Sequence, residues 1–291
     1  MSLITFLTPT FNRGYCIERL FDSLKKMDGD FDWLIVDDGS IDDTEEIVKE
    51  IINKADFKVY YYKKNNGGKH TAVNFGMKYV KSPLTMIVDS DDILLPNAYA
   101  EIERVYKKYS NDNTIGEYAF LRCFPDGQSI VALEKGEFIA NYIEYRIKGN
   151  RPGDMAEVFL TKALKENPFP VFENEKFISE DICWIEIGKK YNSVFININI
   201  YQCEYLENGL TNNDKKLKFN SPNGSMFRGI QLMSKQCGII ANLKGAIIYD
   251  CYKIEAHKCI VHPNSLREKI MVFLMKPFGA YYNKKWKNSI R

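Results

Sequence analysis

No CxxC pair occurs among the seven cysteines, which are odd in number and scattered at positions 16, 123, 183, 203, 237, 251 and 259. That argues against a disulfide framework and for a reducing compartment. HExxH and GxxxxGK[ST] are also missing, which makes a P-loop nucleotidase an unsuitable reading. The longest purely apolar run near the C-terminus, 270–275, falls far short of the roughly 18 residues a membrane span needs. The opening MSLITFLTPTFNRGY has no basic n-region and no cleavage site, so no signal peptide is expected. There is no internal repeat and no low-complexity segment. An apolar share of 45% and a charged share of 27% suit a globular domain, and 291 residues suffice for one large α/β domain with an extension.

Net charge is +2 but unevenly placed. Residues 251–291 carry nine Lys or Arg against Glu255 and Glu268, a net +7, which leaves −5 for the first 250 residues. This basic segment, interleaved with Phe273, Phe278, Tyr281, Tyr282 and Trp286, reads either as a helix packed back on the domain or as a contact with an anionic membrane surface. No basic stripe runs through the rest of the chain, so a nucleic-acid partner is not expected.

Over the first hundred residues apolar strands and amphipathic helices alternate. Strands are predicted at 3–8, 32–36, 57–62 and 84–88, and helices at 15–26, 43–52 and 70–80, with another opening near Pro96. Repeats of this kind make a parallel sheet with helices on both faces, and such sheets bind ligands at the carboxyl ends of their strands. The polar clusters 8–13, 37–40, 65–70 and 89–92 all fall at those ends. Farther on, strands are predicted at 117–124, 158–160 and 194–203, helices at 137–147 and 180–191, and helix from about 225 to the end.

Three carboxylates within Asp89-Ser90-Asp91-Asp92 repel one another, so a folded chain needs a positive partner for them. After a strand, and without sulfur ligands nearby, they suit a hard divalent ion, Mn²⁺ or Mg²⁺; alternatively, Asp92 only caps the next helix. Asp37-Asp38-Gly39-Ser40 can either accept hydrogen bonds from a base or ribose or serve as a tight turn. The loop Lys63-Lys64-Asn65-Asn66-Gly67-Gly68-Lys69-His70 combines backbone donors, cations and a helix N-terminus, a setting for a diphosphate.

TPTFNR (8–13), IVDDGS (35–40), NNGGKHTAVNFG (65–76) and IVDSDD (87–92), in this order, resemble the family 2 glycosyltransferases of the GT-A fold. The resemblance covers about 200 residues. It implies a mainly parallel, Rossmann-like sheet in a domain over 1–210, with nucleotide-binding and acceptor halves meeting near 115; the helical pattern and the basic charge beyond it make 211–291 a helical, basic extension that the resemblance does not cover. It also implies inverting, metal-dependent transfer from a nucleotide-sugar. Thr8, Pro9, Phe11 and Arg13 would then lie along the nucleotide, Asp38 would meet the base with Asp37 nearby, and Gly68, Lys69 and His70 would approach the ribose and diphosphate. Asp89-Ser90-Asp91 matches the DxD motif, with Asp91 the direct metal ligand and Asp89 close to ribose or metal. Glu180-Asp181 followed by Trp184 fits the family's later acidic pair, which makes Asp181 the general base. Asp154 resembles a position lining the acceptor pocket. The resemblance favours a UDP-sugar donor, with GDP and dTDP open, and a saccharide or lipid-linked acceptor in bacterial surface polysaccharide synthesis. Work in the cytoplasm, at the inner face of the membrane, follows from the same reading.

Departures matter as well. Lys69 stands where many members carry an arginine pattern, and a point charge is not a fork. A further metal ligand from His257 or His262 aligns with no motif, and a zinc site from Cys251, His257, Cys259 and His262 has no standard spacing. A nucleotidyltransferase would need a Gly-rich loop after the first strand, which TPTFNRGY is not. A catalytically silent nucleotide-sugar or saccharide-binding protein of the same fold is the alternative, although it would be expected to lose Asp91 and Asp181.

Overall fold

The computed structural model describes residues 1–203 and 214–290, so the expected domain boundary at 210/211 lies outside the described residues. The chain forms two compact units.

The first unit comprises Met1–Asn141, Pro152–Pro168 and Lys190–Glu204. Its strands are β1 (Ile4–Thr10), β2 (Phe31–Asp37), β3 (Lys58–Lys63), β4 (Leu84–Ile87), β5 (Ile93–Leu94), β6 (Ile115–Cys123), β7 (Glu137–Ala140), β8 (Met155–Leu160) and β9 (Asn192–Gln202). They join one sheet in the order β3-β2-β1-β4-β8-β6-β9-β5, with β7 also on β9. β3, β2, β1 and β4 are parallel, whereas β8 runs antiparallel between β4 and β6. All seven residues of β1 are buried, as a strand covered on both faces must be.

Five helices belong to this unit: α1 (Gly14–Leu24), α2 (Thr44–Lys54), α3 (Lys69–Gly76), α4 (Ala98–Tyr109) and α5 (Thr161–Glu166). α1 buries Ile17, Leu20, Phe21 and Leu24 in a core with Ile4, Phe6, Trp33 and Ile35, and Phe21 stacks on Trp33 at 6.3 Å and 7°. Gly76 of α3 sits against the alternate side chains Leu7 and Val36; a Cβ there would come within 2.5 Å of Leu7. Helices therefore cover both faces of the parallel half. Because its strands run the same way, Thr10, Asp37 and Lys63 lie side by side at one end.

The helix expected at 137–147 is not formed. Residues Glu137–Ala140 are β7, and a π-helical turn follows at Ile143–Lys148. Tertiary contacts override the local pattern: Phe138 stacks on Phe195 of β9 at 5.4 Å, and the Glu137 carboxylate accepts from Lys108, Tyr109 and Arg104 of α4. The helix opened near Pro96 begins at Ala98.

The second unit comprises Tyr142–Arg151, Phe169–Lys189 and Tyr205–Arg291. It contains α6 (Asp181–Gly188), α7 (Asp214–Asn220), α8 (Pro222–Leu232), α9 (Gly238–Lys253) and α10 (Leu266–Asn288). Helix is interrupted between Lys253 and Leu266, and α10 begins with a capping box formed by Ser265 and Glu268. Its core gathers Met226, Met233, Tyr249, Cys251, Tyr252 and Met271. Glu175 closes the start of α8, accepting from the Asn223 and Gly224 amides at 2.8 Å each.

α8 and α9 touch backbone to backbone at Gly229 and Gly245. A Cβ on Gly245 would lie 2.5 Å from the Gly229 carbonyl oxygen. Alanine normally favours a helix interior by about 1 kcal/mol over glycine, but overpacking here costs about 1–3 kcal/mol. Gly245→Ala should therefore lower the urea midpoint with an unchanged slope. A raised midpoint would contradict this close approach.

Candidate donor site at the carboxyl ends of the parallel strands

The turn after β2 sends two neighbouring carboxylates to different tasks. Asp37 is fully buried: one oxygen accepts from the Ser40 amide at 2.7 Å and the other from the Tyr61 hydroxyl at 2.6 Å. It holds the turn, which Gly39 completes at a φ of +86° that L side chains rarely adopt. This turn is locked to the loop after β1 by Asn12, whose amide donates to Ser40 Oγ at 2.8 Å while its Oδ1 accepts from the Ile41 amide at 2.9 Å.

Asp38 turns to the glycine-rich loop. Its carboxylate accepts from the Gly68 amide at 2.6 Å, the Gly67 amide at 3.0 Å and Lys64 Nζ at 2.5 Å. Asn66 Nδ2 adds a bond to each of its carbonyl and side-chain oxygens. The loop is thus an anion cradle, as its composition implies, and the anion it cradles in this structure is the chain's own Asp38.

The acidic segment after β4 is paired residue by residue. Asp89 forms an ion pair with Lys69, the first residue of α3. Asp91 pairs with Arg13 Nη1 at 3.1 Å, and its carbonyl accepts from Arg19 at 2.6 Å. Burial opposes the charge of Asp89, yet Lys69 and then Arg122 hold its carboxyl below the ordinary range. Asp92 is also within the field of Arg122, but that attraction is weaker than the repulsion from Asp89. Burial, then the neighbouring Asp89, pushes its carboxyl up to about 7. Its Oδ2 accepts from the Tyr201 hydroxyl at 2.8 Å, and that hydroxyl in turn accepts from the Asp89 amide at 3.1 Å. The Arg122 guanidinium lies 4.3 Å from the Tyr201 ring centre and donates to the Met155 carbonyl at 2.6 Å. Tyr201 and Arg122 were not among the residues expected from sequence. A cation inside the otherwise buried strand β6 was the available signal for Arg122.

The other predicted residues divide by burial. Thr8 and Pro9 are buried in β1, and Thr8 Oγ1 accepts from Trp33 Nε1 at 2.9 Å; Phe11 is exposed. Ser90 is buried, and its carbonyl accepts from the Cys16 thiol. Asp154 is exposed just before β8, after Gly153. His70 is buried with neither ring nitrogen hydrogen-bonded, and burial lowers its pKa to about 4 against the attraction of Asp38.

In the second unit, Asp181 heads α6 next to Glu180, and both its oxygens accept from Arg228 Nε, at 2.9 and 2.8 Å. Arg228 Nη2 lies 2.7 Å from Oδ2, completing a forked pair that fixes the carboxylate. Trp184 is buried edge-on to Phe169 at 6.2 Å. Cys251 is fully buried while His257 and His262 are exposed.

Among the described residues no three His, Cys, Asp or Glu converge on one point. That rules out an all-protein cage there but fits an ion such as Mg²⁺, which takes one or two carboxylates and shares the rest of its shell with water and substrate phosphates. Asp89 and Asp91, each already facing a cation, have the oxygen chemistry for it.

The Glycosyl transferase family 2 model matches residues 5–156, the segment that carries all of these strand ends. An uncharacterized glycosyltransferase of Rickettsia felis is 31% identical over 196 residues, covering 66% of this chain but 31% of that protein. The chain thus spans about a third of the length of that relative. Among solved structures, Staphylococcus aureus TarS 1-349 in complex with UDP-GlcNAc superposes with a TM-score of 0.63 at 17% identity, over 94% of this chain and 79% of that one. A Pyrobaculum calidifontis mannosyltransferase in complex with GDP-Man and Mn²⁺ gives 0.54 at 16%, over 96% and 73%. The fold is the mixed α/β GT-A architecture.

The titration of His70 has a defined sign. Well above pH 6.5 the ring is neutral folded and unfolded and contributes nothing to the pH dependence. As pH falls from 6.5 toward 4, the unfolded chain takes a proton that the native site refuses. Stability should then drop by up to about 1.4 kcal/mol per pH unit, levelling off below the folded pKa. Urea titrations between pH 7 and pH 4 on wild type and His70→Asn should differ in slope across that window; parallel curves would contradict it.

Proposed function

The chain belongs to glycosyl transferase family 2, and on that premise we propose that it moves a sugar from a nucleotide diphosphate to a hydroxyl of a saccharide or lipid-linked acceptor, with inversion at the anomeric carbon. The observation that carries the proposal is the concentration of Asp38, Asp89 and Asp91 with Arg13, Lys64 and Lys69 at the carboxyl ends of β1, β2, β3 and β4, within the matched segment. Charges of both signs gathered there suit a ligand that brings phosphates and a hard cation together.

In this reading the donor diphosphate lies near Arg13, Lys69 and His70, and Asp38 with Asp37 faces the nucleoside. Asp91, assisted by Asp89, holds Mn²⁺ or Mg²⁺. When bound, such an ion supplies Lewis-acid neutralisation of charge on the departing diphosphate. The chain's own cations act on the same charge. Asp181 accepts the proton of the attacking hydroxyl, because an alcohol is a poor nucleophile and must gain alkoxide character as the new bond forms. The acceptor oxygen bonds to the anomeric carbon from one face as the bond to phosphate breaks on the other, and that electron pair leaves with the nucleoside diphosphate. Glu180 is the partner of the base, Arg228 orients it, and Asp154 and Trp184 belong to the acceptor side.

A UDP-sugar is the first candidate donor, supported by the likeness to a structure in complex with UDP-GlcNAc; the GDP-Man complex keeps guanosine in the test. Surface polysaccharide synthesis at the inner face of a bacterial membrane belongs to the same proposal. No helix among the described residues is long and apolar enough to cross a membrane.

Isothermal titration of UDP, GDP and dTDP, with and without Mn²⁺, tests this. One nucleotide should bind in a manganese-dependent way, and Asp91→Ala should weaken it at least tenfold, about 1.4 kcal/mol. Absence of nucleotide binding, or binding indifferent to metal and to Asp91, would favour a silent binding protein of this fold.

A further inference from the structure

α10 has two apolar faces. One is turned inward. Met271 is buried, Val272, Met275, Tyr282 and Trp286 pack on the core of the second unit, and Asn283 Nδ2 donates to the Cys251 carbonyl at 2.8 Å. Gly279 seats this face on α9, where a Cβ would lie 2.4 Å from that of Asp250.

The opposite face is exposed. Leu266, Ile270, Phe273, Leu274, Phe278 and Tyr281 recur at intervals of three and four residues, with Phe273 76% and Phe278 53% accessible. Pro277 stands on the same side, so the Phe273 carbonyl receives no i+4 helical bond there. Exposed Lys269 and Lys276 border the stripe on one side of the helix, Lys285 on the other, and Lys284 lies in line with it. The helix carries six Lys or Arg and one acid, Glu268, which is engaged in the capping box.

We propose that the outward face of α10 docks in the plane of an anionic lipid surface, its apolar stripe in the headgroup–acyl boundary and its lysines against lipid phosphates. Scattered exposed apolar residues need no explanation, but six in register along four turns of one helix do. The combination of an apolar stripe and basic flanks is the pattern of a helix that lies on a bilayer rather than spanning it. A second copy is the competing occupant. An isologous contact through this face would set lysines against their own equivalents with no exposed acid on the helix to pair them. Anionic lipid complements the same charges. The inference deepens the membrane placement in the functional reading above, but its physical basis is independent of the donor site.

The test is cosedimentation of the full chain with phosphatidylcholine vesicles, with and without phosphatidylglycerol, at low and high salt. Wild type should sediment with the anionic vesicles, less so as salt rises, and weakly with phosphatidylcholine alone. Phe273→Ser/Phe278→Ser should lower the partition coefficient at least tenfold, and Lys276→Glu/Lys284→Glu should remove the preference for anionic lipid. The substituted side chains are exposed, so circular dichroism spectra should match wild type. No sedimentation of folded wild type, or partition unchanged in both variants, would overturn the proposal. So would a wild-type dimer in light scattering that the phenylalanine variant dissociates, which would make the face a self-contact. Because no nucleotide enters the assay, failure here leaves the transferase reading standing, and failure of nucleotide titration leaves this one standing.

Discussion

Crowded negative charge at one end of a parallel sheet is the constraint on which the rest of the structure around those strand ends depends. Parallel strands must all finish on the same side, so the residues that follow β1, β2 and β4 are brought together whatever their charge. Two carboxylates 4 Å apart repel by about 4 kcal/mol at an effective dielectric near 20, a large part of a domain's net stability. Each carboxylate therefore has its own remedy. Asp38 is met by Lys64 and two loop amides, Asp89 by Lys69, and Asp91 by Arg13. Asp92, on which burial and Asp89 outweigh Arg122, is shifted toward its protonated form and bonded to Tyr201.

These remedies also organise the loops. Asp38 pulls the glycine-rich segment over the end of β2 and sets where α3 begins. Tyr201 ties Asp89 and Asp92 together from β9, next to the short pairing of β5 with β9. On the proposed reading, the same pairs describe a resting state. A donor carrying phosphates and a divalent ion offers Arg13 and Lys69 anions in exchange for carboxylates, and offers the carboxylates a cation in exchange for side chains. Asp181 in the second unit follows a related rule, its charge fixed by the fork of Arg228.

The parallel half was legible because doubly covered strands read as apolar runs with polar ends. LITFLT, WLIV and LTMIV each fall within or overlap a strand, and the polar clusters after them are where the charges meet. What escaped was long-range. Nothing local in NIYQC announces that Tyr201 will meet Asp92, 109 residues away. Nor does the loop composition say that Asp38 will occupy its amides. The segment at 137–147 has helical spacing, yet stacking on β9 and three donors from α4 make its first part a strand. In α10 the aromatics looked like one group, but Tyr282 and Trp286 face the core while Phe273, Phe278 and Tyr281 face out. Apolar residues on both sides of a helix erase the periodicity that would have separated them.

The most direct test of the charge-exchange account is anomalous diffraction from a crystal grown with UDP and Mn²⁺. The account predicts a manganese peak at the Asp91 carboxylate, diphosphate density beside Lys69, and Arg13 turned from Asp91 toward phosphate. Nucleotide bound away from these strand ends, or an intact Arg13–Asp91 pair with no manganese peak beside it, would contradict it.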